Sequence, residues 1–183
     1  MEASPALRYQ PFYCEENAWW LSSDPALGPG ERCVVYITSR AGLVPMLGQR
    51  AAPPGRLIAW DYHVVVADAG GGVWDLDSRL PVPTPGLQWL EASFALVDRL
   101  PASYAPRLRL IPADAYRRDF ASDRSHMREP SGRWRHPPPP WDPIGHGMTL
   151  HRYLDPEAPE PGTLLDLRGG ADWLAQRTLT RPG

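Results

Sequence analysis

Apolar positions in this chain come in short bursts separated by polar or proline-rich breaks, and the bursts carry two different periods. Residues 14–21 open the ordered pattern: Glu15 and Glu16 fall in what would be a first helical turn, and Trp19, Trp20 and Leu21 supply apolar bulk. The segment reads as a short helix whose acidic start suits the helix dipole. Residues 22–30 collect Ser, Asp, Pro and Gly and read as a loop. Residues 32–38 have strand composition, and residues 43–47 predict a second strand that Pro45 weakens or places at an edge. A turn at 51–55 leads into residues 57–67, the strongest strand signal in the chain. The run Asp68-Ala69-Gly70-Gly71-Gly72 then predicts a flexible turn, with residues 73–77 returning as a strand, so that 57–77 reads as a β-hairpin. Residues 80–85 form a proline-punctuated loop. Leu87, Leu90, Phe94 and Val97 recur at helical spacing and predict a helix over 87–96. Residues 107–111 read as a strand, and Pro112 suits the start of a helix over 113–120.

The rest is less periodic. Residues 1–10 read as a loose arm. Residues 121–147 show no regular period, but Met127, Trp134 and Trp141 predict that this long loop packs down in ordered form. A short helix at 148–154, a strand at 163–167 and a helix at 171–176 complete the chain. No internal repeat is visible. The mixture predicts one α+β domain spanning residues 1–183.

Composition narrows the function classes. A chain of 183 residues suffices for one domain with a core. The net charge of −2 gives no bulk attraction for nucleic acid or an acidic membrane. All 19 basic residues are arginine, which excludes lysine Schiff-base or lysine general-base chemistry. Two cysteines outside any C-x-x-C pair exclude a disulfide framework and a zinc ribbon. No signal peptide and no long apolar span are visible, so the expectation is a cytoplasmic monomer with free thiols.

Three residues then stand out as candidate chemistry. Cys14 opens the predicted first helix, where unpaired N–H groups and the dipole favour a thiolate. His63 and Asp75 lie on the two arms of the predicted hairpin, an even twelve residues apart. Whether they sit directly opposite or diagonally, their side chains share a face, because side chains alternate with a period of two. An imidazole held there by a carboxylate is the base of an activated thiol nucleophile. Asp77 lies on the same face and rivals Asp75 as the orienting acid. Cys14 alone reads more often as a packed thiol than as a nucleophile; Cys33, in an apolar strand run, reads as core. The other histidines match no metal pattern, and no metal or cofactor is expected. The run 137–140 of four prolines reads as a stiff wall, and the glycine run 70–72 opens no helix, so it is not a phosphate loop.

Four blocks carry a family resemblance: Tyr13-Cys14-Glu15-Glu16-Asn17; Trp60-Asp61-Tyr62-His63-Val64-Val65; Trp74-Asp75-Leu76-Asp77; and Phe120-Ala121-Ser122-Asp123-Arg124-Ser125-His126-Met127, continuing through Gly132, Trp134, Arg135 and residues 137–140. With these the chain resembles the protein N-terminal glutamine amidohydrolases over most of residues 9–141. Residues 22–32 and the tail after 143 depart from that pattern. The resemblance implies a papain- or transglutaminase-like α+β scaffold, with the helix that carries Cys14 packed on an antiparallel sheet. It implies Cys14 as nucleophile, His63 as base and Asp75, rather than Asp77, as orienting acid. The implied reaction is deamidation of an N-terminal glutamine of a protein or peptide through a thioester, without cofactor, nucleic acid or membrane. Recognition of a free α-ammonium calls for an acid, and Glu15, Asp61 and Asp123 are the candidates. The rival readings are a cysteine peptidase, an internal-glutamine deamidase and a non-catalytic module that grasps chain termini.

Overall fold

The computed structural model describes residues 7–179, so most of the expected N-terminal arm lies outside the described residues. The elements are α1 (Cys14–Leu21), β1 (Cys33–Thr38), β2 (Val44–Met46), β3 (Ile58–Trp60), β4 (His63–Ala67), β5 (Gly72–Trp74), β6 (Thr84–Pro85), α2 (Gly86–Ser93), β7 (Arg107–Pro112), α3 (Ala113–Asp119), α4 (His151–Leu154), β8 (Thr163–Asp166) and α5 (Leu167–Leu179). Six strands form one antiparallel sheet in the order β6-β5-β4-β1-β7-β8, and β2 pairs with β3 in a separate two-stranded sheet.

Alternation along β1 and β4 sends side chains to two covered faces. Val34, Tyr36, Val64 and Val66 pack with Ala18 and Leu21 of α1, Tyr116 of α3 and Tyr153 of α4. Val35, Ile37, Val65 and Ala67 pack on the other side with Trp89 and Leu90 of α2 and Leu174 of α5. Both strands are therefore buried along their whole length, which is why their sequences are apolar runs without a polar face. The sheet with helices on both faces is the expected α+β architecture. Tyr36 and Tyr116 join their hydroxyls at 2.7 Å, and the Tyr116 hydroxyl also donates to the Glu15 carbonyl at 3.1 Å, so β1, α3 and α1 are tied through buried phenols.

Three expectations change. The run 57–67 is not one strand. Trp60 pairs with Val44 in the small sheet, the chain breaks at Asp61 and Tyr62, and His63 pairs with Ile37 in the large one. The returning arm of the hairpin stops at Trp74, because Asp75 turns back on its own chain: its Oδ1 accepts the Asp77 N–H at 3.1 Å. The last helix starts at Leu167 rather than 171. Gly169 and Gly170 weaken the helical signal there. Gly170 lies so close to β7 that a Cβ on it would sit 3.0 Å from a Leu108 methyl. Pro45 does lie in the small sheet, opposite Ala59.

The segment 121–147 holds only a turn at Ser125–Met127 and isolated bridges such as Ser122 to Ile144. It is fixed by side chains. Arg124 donates to both oxygens of Glu16 at 2.8 Å, and the Trp141 indole N–H donates to the same carboxylate at 2.8 Å. This buried arrangement clamps the segment against α1.

Candidate active site

Chain entry into α1 is held on several sides. Asn17 accepts the Gln10 N–H and donates to the Gln10 carbonyl, at 2.9 and 2.8 Å. Phe12 adopts a left-handed backbone (φ 70°), an unfavourable state for a non-glycine residue that its surroundings must hold. Its ring stacks on His136 at 3.6 Å and meets Trp60 edge-on at 5.9 Å. The Tyr13 hydroxyl donates to the His136 carbonyl at 3.2 Å. No side chain caps α1, which leaves the first backbone N–H groups, including that of Cys14, uncapped.

His63 begins β4, and Asp75 follows directly on β5. The observed register pairs Val66 with Trp74, the diagonal alternative of the hairpin. Nε2 of His63 and Oδ1 of Asp75 are 2.9 Å apart, and both residues are buried. The Asp75 carboxylate also accepts Gln49 Nε2 at 3.0 Å, the Trp89 indole N–H at 3.1 Å and the Asp77 backbone N–H. Burial would push its pKa up. The His63 charge and hydrogen bond, helped by Gln49 and Trp89, outweigh this and hold it below the usual carboxylate value. Burial would push His63 down, but the charge and hydrogen bond of Asp75, with Asp77 and Glu15 behind, carry it above the ordinary imidazole value. Trp60 lies nearly parallel to the ring at 5.7 Å. Nδ1 of His63 is buried without a hydrogen-bond partner among the described residues.

Cys14, half-buried, lines a cavity of about 530 Å³ together with His63, Trp60, Tyr62, His126 and Asp77. Burial, then the charges of Glu15 and Asp77, push the thiol pKa well above its ordinary value, while the Val64 backbone N–H pulls it down. Burial and the carboxylates packed against this helix start act against the thiolate that a helix start favours. Both shifts favour the protonated forms, a thiol at Cys14 and a more basic imidazole at His63.

The acids are placed differently from one another. Glu15 is fully buried. The thiol approaches its Oε2 at 3.7 Å, and its Oε1 lies 3.3 Å from His126 Nε2. Asp61 is exposed on the cavity wall. Asp123 is exposed, is absent from the wall, and accepts the Ser125 N–H at 2.9 Å. Asp77 is buried, lines the cavity, and accepts the Tyr9 hydroxyl at 2.6 Å. Ligand atoms of His63, Asp75 and Asp77 fall within 4.8 Å of one another. Both Asp75 oxygens already accept two donors each, which suits an orienting carboxylate better than a metal ligand. Gln49 and Trp89 were not foreseen: each comes from a distant element, and nothing in its local sequence marks it.

Residues 9–170 match the family described as N-terminal glutamine amidase. The chain is 37% identical over 171 residues to the protein N-terminal glutamine amidohydrolase of Bos taurus, covering 85% of this chain and 83% of that one. It is 38% identical over 166 residues to that of Homo sapiens, covering 83% and 81%. With that of Arabidopsis thaliana it shares 36% over 157 residues, covering 78% and 71%.

Proposed function

The chain belongs to the N-terminal glutamine amidase family, and from that membership we propose that Cys14, His63 and Asp75 are the machinery by which it deamidates an N-terminal glutamine of a protein or peptide to glutamate. The observation that supports this most is the buried 2.9 Å contact of His63 Nε2 with Asp75, which leaves Nδ1 without a partner among the described residues, on a ring that lines the same cavity as Cys14.

In the proposed reaction Cys14 Sγ attacks the side-chain carboxamide carbon while its proton passes to Nδ1 of His63. Burial and the nearby carboxylates push the thiol pKa up, which favours transfer of the proton together with attack. The carbonyl π electrons move to oxygen, and the uncapped Cys14 backbone N–H is a fixed donor available to that oxyanion. Imidazolium His63 then protonates the departing nitrogen. The C–N bond breaks, ammonia leaves, and a thioester on Cys14 remains. Neutral His63 takes a proton from water as the water attacks, and the collapsing adduct expels Cys14, which recovers its proton from His63. Asp75 holds one tautomer and stabilises each imidazolium state.

Substrates are protein or peptide termini. The two free cysteines support action in a reducing compartment such as the cytoplasm, and the reading includes a monomer that engages neither nucleic acid nor membrane. Among the described residues no helix is long and apolar enough to cross a membrane. Asparagine is one methylene short of the thiol, and that difference alone discriminates by about 10–200-fold. Four peptides test the reading: one starting with Gln, its acetylated form, one starting with Asn, and one with only internal Gln. Ammonia release from the free Gln terminus alone is expected. Backbone cleavage, or turnover of internal Gln, would assign the site to a peptidase or an internal deamidase instead.

A further inference from the structure

Asp77 is the buried acid of the cavity wall that the reaction above leaves unused. It is 4% exposed, yet it lines the cavity beside Cys14 and His63. Its Oδ1 is taken by the Tyr9 hydroxyl, whereas no donor among the described residues reaches Oδ2. A buried carboxylate in a cavity wall, with one oxygen braced and the other free of a donor among the described residues, is suited to receive a cation. The charge around it points the same way. Glu15, Asp75 and Asp77 surround one thiol and one imidazole, and Asp77 acts on the electrostatics of both.

The distances fit a terminal glutamine. Its α-nitrogen is four bonds from the carboxamide carbon, about 5 Å when extended, so the ammonium receptor must lie close to the nucleophile. The carboxylate of Asp77 lies within 4.8 Å of a ring nitrogen of His63. The other acids fit less well. Glu15 is sealed under the thiol and His126. Asp61 is exposed to water, where an ion pair contributes little. Asp123 lies outside the cavity wall.

We propose that Asp77, braced by Tyr9, receives the free α-ammonium of the terminal glutamine and so restricts the enzyme to chain termini. The inference rests on the deamidase reading above. It accounts for specificity without a steric block: an internal or acetylated glutamine reaches the thiol but leaves Asp77 buried and unpaired, a cost it cannot recover elsewhere.

The test compares kcat/KM for a Gln-started peptide with that for the same peptide carrying a 4-carbamoylbutanoyl group, in which hydrogen replaces the α-ammonium. Wild type should prefer the free amine. In Asp77→Asn that preference should fall by about 10–100-fold, and Asp77→Glu, which keeps the charge, should retain part of it. A merely structural role for Asp77 would slow both substrates equally and leave the ratio unchanged, which overturns the proposal. Collapse of the ratio in Asp61→Asn or Glu15→Gln, with Asp77→Asn unaffected, overturns it as well. Were wild type to release no ammonia from the Gln-started peptide, the deamidase reading itself would fail and this inference with it. That outcome is distinct from active wild type with an indifferent Asp77.

Discussion

At the residue scale one carboxylate with four donors organises the site. Asp75 fixes His63 through Oδ1 and is itself fixed by Gln49, Trp89 and the Asp77 N–H. Asp75→Asn should lower kcat by about 10²–10⁴-fold with the fold intact, because the amide no longer stabilises the imidazolium. Trp89→Phe removes one donor to the buried carboxylate and should cost roughly 1.5–3 kcal/mol in urea unfolding. The same geometry sets a pH limb. Neutral His63 is the base, and Asp75 holds its pKa above the ordinary 6.5, so kcat/KM should fall as pH drops through that raised value. Removing the opposing charge in Asp75→Asn lowers the His63 pKa and should move the limb to lower pH. A limb that stays in place would detach Asp75 from His63.

At the element scale the site depends on how α1 is clamped. Glu16 and Arg124 are buried and joined by two hydrogen bonds, with Trp141 on the same carboxylate. Arg124→Ala strands the Glu16 charge and should destabilise by about 3–5 kcal/mol in denaturant titration, loosening the segment that buttresses the Cys14 turn. A change under 1 kcal/mol, the range of an exposed pair, would show that the clamp is not buried in solution. Trp141 marked the segment as one that packs down, but the ion pair was not legible, since an arginine and a glutamate 108 residues apart carry no local mark. What was legible is local. The parity of His63 and Asp75 placed them on one face, and the acidic turn with its tryptophans marked α1. The apolar run 57–67 misled because β3 and β4 serve different sheets, a division decided by partners elsewhere in the chain. The thiol pKa misled for a related reason: a helix start says nothing of the carboxylates that tertiary packing brings against it.

At the scale of the whole molecule, the sheet separates two cores, and the cavity opens where the first residue of β4 meets the start of α1. The helix supplies the nucleophile, the sheet supplies the base and its acid, and the irregular segment supplies His126 and His136 to the cavity wall. Chemistry assembled from three parts of one chain predicts an all-or-none dependence on the thiol. The most direct test follows a Gln-started peptide by mass spectrometry with wild type and with Cys14→Ala. Wild type should convert the terminal amide to the acid with the backbone intact, and Cys14→Ala should leave the peptide unchanged. Conversion by Cys14→Ala at the wild-type rate would contradict Cys14 as the nucleophile.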